Sequence, residues 1–252
     1  MKPSHWLGQT VRIGNVSLYY EVHGSGPQLL CLHNFTSNSR ARYGALLPVL
    51  AQHYTCYLVD LRGHGRSDNP DNNWKHEQYS QDIIGLCKAI GIADAYVIAA
   101  SSGAMTMLRV ARYAPELVRA MVLDSGTYRV PPEAERFYKH PDALSESLKS
   151  YYSHANEIYG PDYGKELAAA FYSFRLPECD VNVPLEALKQ IVAPTLLVAG
   201  DRDVFFPTDI HIAMRRTIPQ AELAIFPHTH HIAMQYHPEE VAGMALKFFS
   251  KY

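Results

Sequence analysis

The sequence predicts an α/β fold: a mostly parallel central sheet flanked by helices, with a small helical unit inserted after the sixth strand. Two observations predict the sheet. Apolar runs such as Gln28-Leu29-Leu30-Cys31-Leu32 and Thr195-Leu196-Leu197-Val198-Ala199 lack the polar alternation of a half-exposed strand, as strands buried on both faces require. Between such runs lie stretches with apolar residues at helical spacing, so strand and helix alternate as in βαβ units. A third observation predicts the insertion. Between Gly126 and about Glu186 the strand-like runs stop, and about 60 residues read as helix only.

The elements follow in order. Val11 to Tyr20 reads as a hairpin turning at Gly14-Asn15. Gln28 to Leu32 is a strand, followed by a helix over about Arg40 to Gln52, and Thr55 to Val59 is the next strand. From Gln78 to Ile90, Ile83, Ile84, Leu86, Cys87 and Ile90 fall at helical spacing. The run Ala95 to Ala100 leads directly into a helix through Tyr113, and Ala120 to Leu123 is the strand after it. In the insertion, Leu144, Leu148, Tyr151, Tyr152 and Ala155 share a helical face, and Glu166 to Phe174 forms another helix. Thr195 to Ala199, a helix from about Pro207 to Thr217, a strand from Glu222 to Phe226 and a helix from Pro238 to Phe249 complete the pattern. The expected organisation is a core made of residues 1–126 and 187–252, interrupted by a helical cap over 127–186.

Composition narrows the function classes. With 252 residues the chain is long enough for one large domain with an ample core. A hydrophobic fraction of 47% and a charged fraction of 19% are those of an ordinary globular protein. The formal net charge of −2 gives no reason to expect a nucleic acid or an anionic membrane as partner. The start, Met1-Lys2-Pro3-Ser4-His5-Trp6, lacks the apolar core of a signal peptide, and no apolar run approaches membrane-spanning length. Cys31, Cys56, Cys87 and Cys179 lack C-x-x-C spacing and read as free thiols in a reducing compartment, so a cytoplasmic location is expected.

Chemistry enters at Ala99-Ala100-Ser101-Ser102-Gly103, where an apolar strand ends in a serine between small residues and a helix begins at once. This A-x-S-x-G is a variant of the nucleophile elbow G-x-S-x-G, a strained turn that lifts a hydroxyl out of a sheet. Two distant segments offer partners. After the strand at Thr195 comes Gly200-Asp201-Arg202-Asp203, and the last strand runs into Pro227-His228-Thr229-His230-His231. The chain order is serine, aspartate, histidine.

With three further segments, the chain resembles the α/β-hydrolase-fold superfamily over essentially its whole length, in particular its serine esterases and lactonases. Leu32-His33-Asn34-Phe35 resembles that family's His-Gly-x oxyanion loop, with Asn34 where the pattern has glycine. Asp60-Leu61-Arg62-Gly63-His64-Gly65-Arg66-Ser67 resembles its D-x-R-G-x-G-x-S signature, and His237-Pro238-Glu239-Glu240-Val241 the opening of its last helix. The resemblance implies a catalytic triad of Ser101, Asp203 and His231, an oxyanion hole made by the backbone N–H groups of Phe35 and Ser102, and no cofactor or metal. A serine hydroxyl needs a base to take its proton; histidine titrates near neutrality, and a carboxylate fixes its tautomer.

Competing residues lie close by. Ser102 also has small neighbours but is followed three positions later by Met105. His228 and His230 are alternatives to His231, Asp201 reads as a turn residue, and Asp124 occupies an acid position used by some relatives. His33 and the Asp60–Ser67 signature are expected to shape loops. Ten of the 28 aromatic residues fall in the insertion, among them Tyr128, Tyr151, Phe171 and Phe174, which suggests a roof over an apolar pocket. The expected function is hydrolysis of a small or medium carboxylic ester or lactone through an acyl-enzyme. A hydroxynitrile-lyase-like enzyme and a non-catalytic ligand receptor are the alternatives on this fold. The serine argues against dehalogenase-like and epoxide-hydrolase-like members. The absence of proline from His33-Asn34-Phe35-Thr36 argues against iminopeptidases, C–C bond hydrolases and perhydrolases.

Overall fold

A computed structural model describes residues 8–132, 134, 167, 169–171 and 180–252. The predicted hairpin is formed by β1 (Gln9–Ile13) and β2 (Val16–His23), joined by a two-residue turn in which Gly14 takes φ 59°. Then come β3 (Gln28–Leu32), α1 (Ser39–Tyr43), α2 (Leu47–Leu50), β4 (Thr55–Val59) and α3 (His76–Ile90). The chain continues through β5 (Ala95–Ala100), α4 (Ser102–Tyr113) and β6 (Val118–Asp124). After the insertion a 3-10 turn (Leu185–Gln190) precedes β7 (Thr195–Gly200), α5 (Thr208–Thr217), β8 (Ala221–Phe226), α6 (Ala233–Tyr236) and α7 (Pro238–Phe249).

One expected element divides. The single helix over Arg40 to Gln52 is two short helices, because the ring of Pro48 would collide with the carbonyl of Gly44 in a continuous helix. Pro48 instead sits in the first turn of α2, where its missing N–H costs nothing. The short α6, between the last strand and the last helix, was not anticipated.

The strands form one eight-stranded sheet in the order β1-β2-β4-β3-β5-β6-β7-β8. The β1/β2 and β2/β4 pairs are antiparallel and every other pair is parallel. Successive side chains of β3 show why its apolar run has no alternation. Leu30 and Leu32 join a core with Ile83, Leu86, Met107 and Leu108, while Leu29 and Cys31 join another with Tyr43, Leu46 and Phe248. Each fully buried leucine contributes about 1.5–3 kcal/mol, and both faces of the sheet draw on this term. Cys31, Cys56 and Cys87 are buried free thiols.

From β3 the chain moves outward to β4 and then returns to β5 on the other side of β3. Such a reversal leaves a crevice at the carboxyl ends of the two strands, the place where open α/β sheets bind ligands. A third apolar cluster lies in this part of the molecule. Phe35, Met105, Phe205 and Phe206 pack there with Ala134, Leu167, Ala170 and Phe171 of the insertion. The ends of the insertion are laced together, with Val183 N–H on the Tyr128 carbonyl (2.7 Å) and Val130 N–H on the Asn182 side chain (2.9 Å). The expected helix through Leu144 to Ala155, the remainder of the one over Glu166 to Phe174, most of the insertion's aromatic residues and Cys179 lie outside the described residues. Among the described residues no helix is long and apolar enough to cross a membrane.

Candidate active site

The site begins where β5 meets α4. Ser101 holds φ 48° and ψ −109°, a left-handed conformation that costs a non-glycine residue about 1–3 kcal/mol. Bonds on both sides impose it: the Ser101 N–H donates to the Asp124 carbonyl (2.8 Å), and the Ser101 carbonyl accepts the first helical bond from Met105 (2.9 Å). The small residues of the motif have steric reasons. A Cβ on Gly103 would lie 2.6 Å from the Leu32 carbonyl oxygen and 2.7 Å from that of His33, while Ala99 is fully enclosed.

The structure brings Ser101, His231 and Asp203 together. The Ser101 hydroxyl is 3.0 Å from His231 Nε2, and His231 Nδ1 is 2.6 Å from Asp203 Oδ2. With Nδ1–H donated to the carboxylate, Nε2 carries the lone pair that faces the serine. The second Asp203 oxygen accepts the backbone N–H groups of Phe205 (2.8 Å) and Phe206 (3.0 Å). Burial alone would raise the Asp203 carboxyl, but the His231 charge, its hydrogen bond and these two amides outweigh it and hold the group below its ordinary range. The rings of Phe205 and Phe206 flank the His231 imidazole at 5.1 and 5.2 Å between centroids. His231 keeps 17% of its side chain exposed whereas Asp203 keeps none, so the imidazole has a solvent-facing edge and the carboxylate does not.

The competing residues are occupied elsewhere. The Ser102 hydroxyl faces His76 Nε2 at 2.9 Å, in the protein interior. His228 sits on the surface against Arg202, and exposed His230 lies near the ring of Tyr236. Asp201 accepts the Thr229 N–H (3.1 Å), as a turn residue does. Asp124 is fully buried, and its two carboxylate oxygens accept the N–H groups of Ala233 (3.1 Å) and Met234 (2.7 Å). It thereby anchors the short helix that follows His231. Burial pushes its carboxyl up, against the lowering effect of those amides and of the Ser125 hydroxyl.

As the first residue of α4, Ser102 has an N–H with no place in the helical ladder. The adjacent Gly103 N–H donates to the His33 carbonyl (3.1 Å), which ties this turn to the loop carrying Phe35. Asn34 does not take a positive φ, so the loop has no need of glycine at that position. Its side chain instead accepts from Arg42 Nε (2.7 Å) and donates to Thr36 (3.3 Å). His33 donates from Nδ1 to the Asn34 carbonyl (2.7 Å) and accepts the Leu61 N–H at Nε2 (3.0 Å); burial pushes its pKa down to about 4. The signature beyond it is likewise architectural. Asp60 accepts from the Ser39 N–H and hydroxyl and from the Arg66 N–H, and Arg62 forks onto Asp82.

Three features escaped the sequence reading. The Phe205-Phe206 pair had a signal that could have found it, two adjacent aromatic residues just beyond Asp203. The anchoring by Asp124 and the His76 contact to Ser102 have no local signal, because each partner lies on a different element. Among the described residues no group of histidine, cysteine and carboxylate side chains is arranged to hold a metal ion.

Comparison with known proteins identifies the family. A family model described as "Alpha/beta hydrolase family" matches residues 22–244. The chain is 35% identical over 130 residues to 2-(acetamidomethylene)succinate hydrolase of Mesorhizobium japonicum, a stretch that is 52% of this chain and about half (46%) of that protein. It is 27% identical to the pimeloyl-[acyl-carrier protein] methyl ester esterase of Nitrosospira multiformis, over 94% of this chain and 99% of that one. The solved structure of E-2-(acetamidomethylene)succinate hydrolase superposes with a TM-score of 0.78 at 25% identity, covering 98% of this chain and 100% of the other.

Proposed function

The chain belongs to the alpha/beta hydrolase family, and from that premise we propose that it is a serine hydrolase acting on a small or medium carboxylic ester or lactone. The hydrolases and the esterase among its relatives support a serine-hydrolase-type function. The observation that carries the finer reading is the continuous contact from the Ser101 hydroxyl through His231 to Asp203. The esterase from Nitrosospira multiformis, similar along nearly its whole length, supports an ester as substrate.

In this reading Ser101 Oγ attacks the ester carbonyl while His231 Nε2 takes its proton. The tetrahedral oxyanion is met by the N–H groups of Phe35 and Ser102. His231, now an imidazolium held by Asp203, gives the proton to the departing alkoxide, leaving an acyl group on Ser101. Water then attacks the acyl-enzyme, His231 takes its proton, and collapse of the second oxyanion releases the acid and restores the serine hydroxyl. For a lactone the alkoxide stays tethered, so a single hydroxy acid leaves. No cofactor takes part in this scheme.

The test is turnover of p-nitrophenyl acetate and butyrate and of a simple lactone, with labelling by an organophosphonate located by mass spectrometry. Turnover together with a label on Ser101 is expected. No turnover and no label would leave a ligand receptor, whereas cyanide release from a cyanohydrin without ester turnover would indicate a lyase.

A further inference from the structure

Beside the Ser101–His231–Asp203 contact lies a second serine–histidine–aspartate array, whose serine and histidine are buried and whose aspartate is partly exposed. The Ser102 hydroxyl is 2.9 Å from His76 Nε2, and His76 Nδ1 is 3.6 Å from Asp180 Oδ1. His76 opens α3 and Ser102 opens α4, so the array links two helix starts. Asp180 stands near the end of the insertion. Its other oxygen accepts the Glu77 N–H (2.6 Å), and its carbonyl accepts from the Arg109 guanidinium. The next residue, Val181, packs in the cluster that contains Phe35, Phe171 and Phe205.

This array cannot be a second nucleophilic centre, because Ser102 keeps 1% of its surface and His76 none. Its chemistry allows a different task. With Nδ1–H turned to the Asp180 carboxylate, Nε2 is an acceptor and the Ser102 hydroxyl donates to it. The Ser102 carbonyl is held as well, accepting the Thr106 hydroxyl (2.9 Å). Ser102 is thus held through its side chain and its carbonyl, while its N–H shares a peptide plane with the Ser101 carbonyl, which accepts from Met105 (2.9 Å).

We propose that His76 and Asp180 are positioning residues: through the Ser102 hydroxyl they aim the Ser102 N–H at the developing oxyanion and couple that donor to the inserted region. The proposal rests on the serine-hydrolase reading. The Ser102 side chain, which the sequence offered only as an alternative nucleophile, becomes the link between the insertion and the oxyanion hole. Burial lowers the His76 pKa against the pull of Asp180, so the ring stays in the neutral form that this arrangement needs.

The experiment measures kcat and KM for p-nitrophenyl butyrate in the full chain, normalised to sites labelled by an organophosphonate. It also measures the affinity of an aliphatic trifluoromethyl ketone, which forms a tetrahedral oxyanion on the serine. Loss of one oxyanion donor costs about 10²–10³ in kcat, and misdirecting one costs less, so His76→Leu should lower kcat per labelled site by about 10-fold with KM within about twofold. The ketone should weaken by the same factor. His76→Gln retains an acceptor for the hydroxyl and should recover most of the rate, and Asp180→Asn should fall between the two. Should His76→Leu not fold, Ser102→Ala removes the hydroxyl alone and should show the same parallel loss of kcat and ketone affinity. Variants that lose only labelled sites, at the parent kcat per site, would overturn the relay. So would a loss of kcat that ketone affinity does not follow. A parent protein with neither turnover nor label on Ser101 would instead remove the hydrolase reading, and the proposal with it.

Discussion

At Ser101 three independent constraints meet: a left-handed backbone, a sheet bond to the Asp124 carbonyl and a hydroxyl turned to His231. If that hydroxyl is the nucleophile, Ser101→Ala should lower ester kcat by at least about 10⁴-fold with an unchanged circular dichroism spectrum. His231→Ala should match it, and the double variant should be little worse than either, because residues that act as a unit are not additive. The two aspartates should separate in a paired measurement of rate and melting temperature. Asp203→Asn releases the imidazole tautomer and should cost about 10²–10⁴ in kcat. Asp124→Ala removes the acceptor of two buried amides, worth about 1–3 kcal/mol, and should lower Tm by several degrees. Greater damage to kcat from Asp124→Asn than from Asp203→Asn would move the acid to β6.

At the scale of elements, Asp180 joins the insertion to the starts of α3 and α4. Burial alone would raise its carboxyl, yet the nearby His76 ring, the Glu77 amide and Arg109 bring it down to about 2. A carboxyl whose pKa is lowered on folding favours the folded state above its ordinary pKa near 3.9, and that benefit disappears as pH falls toward 2. Asp180→Asn should therefore cost on the order of 1 kcal/mol at neutral pH, once solvent screening of this partly exposed group is counted, and its urea midpoint should converge on the parent's between pH 4 and pH 2. A difference that does not change with pH would mean the carboxylate charge contributes nothing. Most elements were legible because their signals are local. The unbroken apolar runs Gln28–Leu32 and Thr55–Val59 are strands with those same ends, and Pro238–Phe249 is the last helix as expected. The helix over Arg40 to Gln52 misled because its apolar spacing continues past Pro48, which a helix interior does not accommodate. In the candidate site, the residues set by a strand end or a small-residue motif could be read. The partners of Asn34, Asp124 and Ser102 could not, since each depends on how separate elements are placed.

For the whole molecule, one apolar cluster joins Phe171 of the insertion to Phe35, Phe205 and Phe206 of the core. If these rings form the acyl pocket, kcat/KM should rise from acetate to a short or medium ester by about 0.8 kcal/mol per buried CH₂, then fall for longer chains. Phe171→Ala should move that optimum while sparing acetate, as a chain-length series of p-nitrophenyl esters would reveal; a flat series out to long chains would mean an open site. The interruption of the sheet has a temporal side. Strands β6 and β7 are hydrogen-bonded neighbours, yet about 70 residues separate Asp124 from Thr195, roughly 4–14 s of ribosomal synthesis. For that interval a nascent chain carries an apolar strand with one unpaired edge, the kind of template on which polypeptides aggregate. Ser101 likewise waits 130 residues for His231, so whatever reactivity the serine acquires is withheld until the chain is nearly finished.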